Sequence, residues 1–379
     1  MKIQQKKYTH LNGWENLNAN PFDEESCNLV LAFGSTSILE QPDIYHQIKL
    51  NYPNAPIVMN STAGEIYDIH VNDDTISLTA ISFEKTIIKT AAVQIADMGS
   101  SHAAGNSLAA ALDIEDLNNV LIISDGQKVN GSELVQGLKE CLPGDIIITG
   151  GLAGDGARFS KTLVGLNESP IEGRIIAIGF YGNHLSVNFG SVGGWDSFGP
   201  ERLITKAKAN ILYELDGKPV LDIYKMYLGE YASELPGSGL LFPLSIRKPN
   251  TDETVVRTIL GINEKEKSLV FAGNMPEGAY ARLMKANFDR LIEGASNAAQ
   301  NTVNGIIDKP ELAILISCVG RKLVLDQRIE EEVEVVRTMY GNNTAITGFY
   351  SYGEISPSAN FINCELHNQT MTITTFSER

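Results

Sequence analysis

Three times along this chain an unbroken apolar run gives way to helical spacing and then to a second apolar run that ends in glycine. The first instance is "NLVLAFGS" (28 to 35), then "PDIYHQIKLNYP", then "APIVMNSTAGE". The second is "NVLIISDG" (119 to 126), a stretch with Leu134, Leu138 and Cys141 on one helical face, then "DIIITGGLAGD". The third is "ELAILISCVG" (311 to 320), a helix around 325 to 340 with Ile329, Val333, Val336 and Met339 in one stripe, then "AITGFYSYGE". Apolar runs of this length without alternation predict parallel strands buried on both faces, so each instance reads as a βαβ unit. Pro42 suits a helix first turn, Ser132 is placed to cap the second helix, and Gly341 is placed to stop the third. Spacing supports a repeat: Ser35 to Gly64 is 29 positions, Ser124 to Gly154 is 30, and Gly320 to Gly353 is 33.

After each unit the period changes to two. "DTISLTAISF", "RIIAIGFYGNHLSVNFGSV" and "INCELHNQTMTITTF" predict antiparallel hairpins that extend each sheet. Helices rich in Ala and Asn, "HAAGNSLAAAL" and "FDRLIEGASNAAQNTV", precede units two and three. Between 201 and 310, "NILYELDGKPVLDIYKMYLG" predicts strand, turn and helix, followed by strands around 240 to 246 and 254 to 273, with "SELPGSGL" as the clearest loop. The fold class expected is α/β: repeated βαβ units with added antiparallel hairpins, in two closely packed halves, 1–200 and 201–379.

Each second strand ends in glycine and an acid: Gly64-Glu65, Gly154-Asp155 and Gly353-Glu354. In open α/β sheets ligands collect beyond the carboxyl ends of parallel strands. Glycine there permits an unusual turn, after which an acid can face the crevice. The plainer alternative is that glycine turns the chain and the acid caps a neighbouring amide. Arg321 follows the first strand of unit three and is expected on the same edge as Glu354, where the two would suit a zwitterion; a structural Arg321–Glu354 ion pair is the competing reading. His367 and Asn368 sit in a strand, where a structural role competes with a ligand contact. Cys318 lies in a very apolar strand and reads as a small hydrophobe. Glu330, Glu331 and Glu332 read as a solvated helix face. Gly150, Gly151 and Gly154 of "GGLAGDG" lack both the P-loop and the dinucleotide spacing, but remain candidates for an anion nest.

Composition narrows the partners. The chain has 379 residues, is 43% apolar and 20% charged, and carries a net charge of −16. That charge disfavours nucleic acid and anionic membrane. The N-terminus lacks the apolar stretch of a secretory signal, and no run has the roughly 18 apolar residues of a spanning helix. Four cysteines without a CxxC pair read as reduced core residues. A cytoplasmic protein is expected. The histidines show no zinc-binding spacing, so no metal and no cofactor are expected.

"GFYSYGEISP", "CVGRK" and "ELHNQT" resemble the C-terminal part of the FIST family, and "VMNSTAGEI", "TGGLAGDG" and "ITKAKANILYELDGKPVLDIYKMYLG" resemble its N-terminal part. The likeness spans about residues 27 to 375. It implies a sensory, signal-transduction module that binds a small polar ligand, amino acids being the suggested class. Ligand contacts are then expected from Glu354, Gly353, Arg321, Glu65, Gly64, Asp155, Gly154, Tyr350, His367 and Asn368. No kinase, cyclase or F-box segment accompanies the module in this sequence, so the signal is expected to pass to a separate protein such as a kinase or cyclase. Two other classes stay open: an enzyme using Glu65, Asp155 and Glu354 as acid or base with Cys318 or His367 assisting, and a scaffold that binds no ligand.

Overall fold

A computed structural model describes residues 1–18, 21–249, 254–304, 309–357 and 364–379. The three βαβ units are present. In unit one the first strand, Leu29–Gly34, lies parallel to the second, Ile57–Ser61, across the helix Pro42–Asn51. In unit two Leu117–Ser124 and Ile147–Leu152 flank the helix Gly131–Cys141. In unit three Leu312–Cys318 and Ala345–Ser351 flank two helices, Val319–Leu325 and Glu331–Tyr340, where the sequence predicted one. The cap of the second helix is Asn130 rather than Ser132. Its Oδ1 accepts the amides of Ser132 and Glu133, while Ser132 Oγ instead accepts the amide of Asn274.

A return strand then runs antiparallel beside each first strand: Ile76–Ser82, Arg174–Tyr181 and Met371–Glu378. What the sequence did not predict is where the segment between second strand and return strand goes. In each unit it leaves its own sheet. Glu65–Tyr67 of unit one pairs with the second strand of unit three. Gly353–Pro357 of unit three pairs with the second strand of unit two. Val164–Leu166 of unit two pairs with the second strand of unit one. Three backbone bonds mark the cycle: Ala63 N to Tyr350 O (2.8 Å), Tyr352 N to Leu152 O (3.2 Å) and Gly154 N to Ser61 O (2.9 Å). The result is three six-stranded sheets related by an approximate threefold, each with one second strand covered by a neighbour.

The burial pattern follows. Leu29, Leu31 and Phe33 of unit one, Leu121 and Ile123 of unit two, and Leu312, Ile314, Ile316 and Phe349 of unit three form one central core. Phe33 and Phe349 meet with ring centroids 4.9 Å apart. The alternate residues face outward onto helices, as Val30 and Ala32 do beside Ile44 and Ile48. Both faces of these strands are therefore dry, which is why their sequence does not alternate.

The described residues between 196 and 285 build a separate antiparallel sheet with its own core, in which Leu212, Leu269, Phe271 and Leu283 pack under the helix Val220–Leu228. The segment read as a loop at 233 to 240 lies largely within two short 3₁₀ turns, Gly229–Glu234 and Gly237–Leu241.

Gly348 shows how tightly the parallel strands pair. Its φ is 156°, and a Cβ there would overlap the carbonyl of Leu315 on the adjacent strand. Gly348→Ala is expected to cost about 1–3 kcal/mol through overpacking, read as a lower denaturation midpoint with unchanged slope.

Candidate functional site

The two glutamates of the Gly-acid pairs occupy equivalent positions and do the same thing. Glu65 opens the crossing strand of unit one and is fully buried. Its Oε1 accepts from Thr62 Oγ1 (2.5 Å), and its Oε2 accepts from Thr75 N (3.2 Å) and Thr75 Oγ1 (2.8 Å). Glu354, likewise buried, accepts from Ser351 Oγ (2.6 Å), Thr370 N (3.2 Å) and Thr370 Oγ1 (2.9 Å). In both, a hydroxyl three residues upstream and the threonine heading the return strand clamp one carboxyl. Burial pushes Glu65 up to about 7 and Glu354 up to about 8, against the pull of these hydrogen bonds. The amide-capping alternative therefore describes both glutamates.

Asp155 sits one position earlier. The cyclic backbone bonds align Gly154 with Ala63 and Tyr352, so Asp155 corresponds to the glycines rather than to the glutamates. It accepts from Thr36 Oγ1 (2.8 Å), Arg158 Nε (2.8 Å), Ser160 Oγ (3.1 Å) and Lys161 N (3.2 Å). Burial opposes its ionisation, but the bonds from Arg158 and Thr36 outweigh it and hold the carboxyl below its ordinary range.

Arg321 does not meet Glu354. Its guanidinium is fully buried and binds Glu332 Oε2 through Nε (3.1 Å) and Nη2 (2.8 Å), with further bonds to the carbonyls of Leu291 (2.7 Å) and Gly193. Glu332 also accepts from Ser317 Oγ (3.0 Å) and Tyr350 OH (2.6 Å). This corrects two readings. Arg321 and Tyr350 belong to a closed internal network, and Glu332 is buried rather than on a solvated face. Gly150 and Gly151 lie inside the second strand of unit two, committed to its ladders, so they form no anion nest. Gly353 packs against Leu366 and Leu152. His367 faces the Ser356 carbonyl through Nε2 (3.1 Å), and burial lowers its pKa. Asn368 is buried with neither amide atom partnered among the described residues. Burial pushes the Cys318 thiol far up, away from reactivity.

An open polar cleft of about 480 Å³ does lie at the carboxyl edge, and it draws on all three units. Unit one contributes Gly64, Glu65, Asp73 and Asp74, unit two Arg158, and unit three Lys322. Lys322 Nζ donates to the Ala63 carbonyl (2.9 Å), pairs with Asp73, and lies 5.8 Å from the Tyr350 ring centroid. A Cβ on residue 64 would come within 2.6 Å of that ammonium, so glycine there makes room for it. Arg158, more than half exposed, extends from Asp155. Sequence reading missed Lys322, Arg158 and Asp73. Lys322 stood in the quoted "CVGRK", but its partner lies 249 residues away. A cleft with two cations and adjacent carboxylates can hold an anionic group and an ammonium group at once. Among the described residues no cluster of acids, histidines and cysteines could hold a metal, and no helix is long and apolar enough to cross a membrane.

Two family models account for most of the chain: the FIST N domain matches residues 28–218 and the FIST C domain residues 221–357. The chain belongs to the FIST family. FIST domains are sensory domains of signal transduction, and that coarse role comes with membership. An uncharacterized protein of Methanocaldococcus jannaschii is 24% identical to this FIST chain over 258 residues, 64% of this chain and 47% of that protein, so the chain spans about half the length of the relative it matches. The crystal structure of cyanuric acid hydrolase from A. caulinodans overlaps 78% of this FIST chain and 99% of its own at 11% identity, with a TM-score of 0.19, too loose to carry an argument.

Proposed function

We propose that this FIST chain is a cytoplasmic sensor that binds a small polar ligand, with an amino acid as the best-fitting class, in the Lys322–Arg158 cleft. It passes the signal by contact with a separate protein such as a kinase or cyclase. The observation that carries this reading is the cleft's composition: Lys322 and Arg158 beside Asp73 and Asp74, one or more from each unit. Opposite charges in one opening match the two ends of a zwitterion. An occupant touching three units that hold one another's strands would bias their packing, which gives binding a route to the surface.

The test is a thermal-shift screen with amino acids on the wild type and on Lys322→Met. A ligand at about 100 times its Kd stabilises by roughly 2.7 kcal/mol. Lys322→Met removes a partly exposed ion pair, worth about 0–1 kcal/mol, and a hydrogen bond to the Ala63 carbonyl, worth about 0.5–1.5 kcal/mol, so the unliganded protein should melt only a few degrees lower while most of the ligand shift disappears. If no amino acid shifts the wild type, the ligand class is wrong. If the shift survives Lys322→Met, the site lies elsewhere.

A further inference from the structure

A second cavity, of about 540 Å³, lies between residues 189–195 and the start of the last return strand. Its chemistry is opposite to that of the cleft. Among its described lining residues none is charged, whereas the cleft holds Glu65, Asp73, Asp74, Arg158, Lys322 and Asp326. Entry past an uncharged wall strips an ion of water without replacing it, so the described part of the wall disfavours charged molecules.

Its apolar wall includes Trp195 and Met284. The indole N–H of Trp195 is bound to the Gln369 carbonyl (2.9 Å), and the buried ring packs with Met284 against Leu291, Val324 and Leu325, so only its small accessible part is left for an occupant. A thioether favours aromatic neighbours as well. The polar lining is mixed: Ser191, Asn301 and Asn304 can donate as well as accept, and His367 supplies an acceptor. His367 Nε2 faces a carbonyl, so that nitrogen carries the proton, and Nδ1 is an acceptor without a partner among the described residues. Thr370 Oγ1 lies within hydrogen-bond distance of Glu354 Oε2 (2.9 Å) and of Thr372 Oγ1 (3.5 Å). Thr370 and His367 both lie in the cavity lining. We propose that this cavity is a second binding site, separate from the charged cleft, for an uncharged aromatic molecule that carries an O–H or N–H donor. Thr370 links it to the fold, because the same side chain clamps Glu354 at the head of the crossing strand Gly353–Pro357.

The chain has two tryptophans, so Trp14→Phe leaves Trp195 as the sole reporter. Its emission is titrated with phenol, with anisole (the same ring without the donor) and with benzoate (the charged analogue). Phenol is expected to give a saturable change, anisole to bind about fivefold more weakly for loss of one hydrogen bond, and benzoate at least about tenfold more weakly. His367→Phe in the same background is expected to bring phenol down to the anisole level. The anisole and benzoate comparisons use the unaltered cavity, so they decide the matter even if the His367 variant unfolds. A non-saturable phenol response, equal binding of anisole, or benzoate binding as well as phenol would each overturn the proposal.

Discussion

Arg321→Met is expected to cost the fold about 3–5 kcal/mol, the range for removing one partner of a buried ion pair, and to lower the melting temperature by about 4–6 °C. Arg321 and Glu332 both have no solvent exposure. The loss strands a carboxylate that Ser317 and Tyr350 alone must solvate. It also removes the guanidinium bonds to Gly193 and Leu291, which tie unit three to the segment after the strand Leu185–Val192 and to the helix Phe288–Val303. Adding Glu332→Gln to Arg321→Met should recover a substantial part of the loss, because the stranded charge is gone. Denaturant melts of the two single variants and the double variant measure the coupling. A cost below about 1 kcal/mol for Arg321→Met would mean the pair behaves like a surface bridge, against its burial.

Stability is expected to fall on the alkaline side, and Glu354→Gln is expected to remove much of that fall. Glu354 is raised from 4.5 to about 8 and Glu65 from 4.5 to about 7, both by burial. The native state therefore keeps protons that the unfolded chain releases above pH 4.5. Their stabilising contribution is complete below that pH and is lost as pH rises through about 7 and 8. For Glu354 the difference is on the order of 3–5 kcal/mol. Glu378 has the opposite sign. Burial works against its ionisation, but the amides of Glu84, Lys85 and Thr86 and the Thr86 hydroxyl outweigh it and hold the carboxyl at about 2, so its contribution is lost only in acid. Glutamine at 354 keeps the shape and an oxygen for Thr370 without the charge. Urea melts at pH 6 and pH 9 should show a large gap for the wild type and a much smaller one for the variant. Equal gaps would show that Glu354 stays ionised in the native state throughout.

The βαβ units were readable because a strand buried on both faces leaves an unbroken apolar run, and the runs at 28–35, 119–126 and 311–320 have no other simple reading. The exchange of crossing strands was not readable, since alternating residues look the same whichever sheet receives them. Glu332 shows a signal passed over. It lies three residues after Ile329 and four before Val336, so the apolar stripe that predicted the helix already placed it inward; the run of three acids obscured that. Asp155 illustrates a limit of spacing. A one-residue offset leaves the Gly-acid pattern intact but puts the side chain in a different environment. Lys322 was visible, yet only the fold brings Asp73 to it.

The cyclic strand exchange has a consequence for biogenesis. Unit one cannot complete its sheet until residues 164–166 of unit two arrive, and its own residues 65–67 are paired only with the short strand His70–Asn72 until 347–349 are made. Closure waits for contacts spanning nearly the whole chain, which makes assembly slow and late. A nascent chain on the ribosome would hold open strand edges through most of its synthesis, exposed to chaperones and to like edges on neighbouring chains. Once closed, the three units should unfold together, as one transition rather than three.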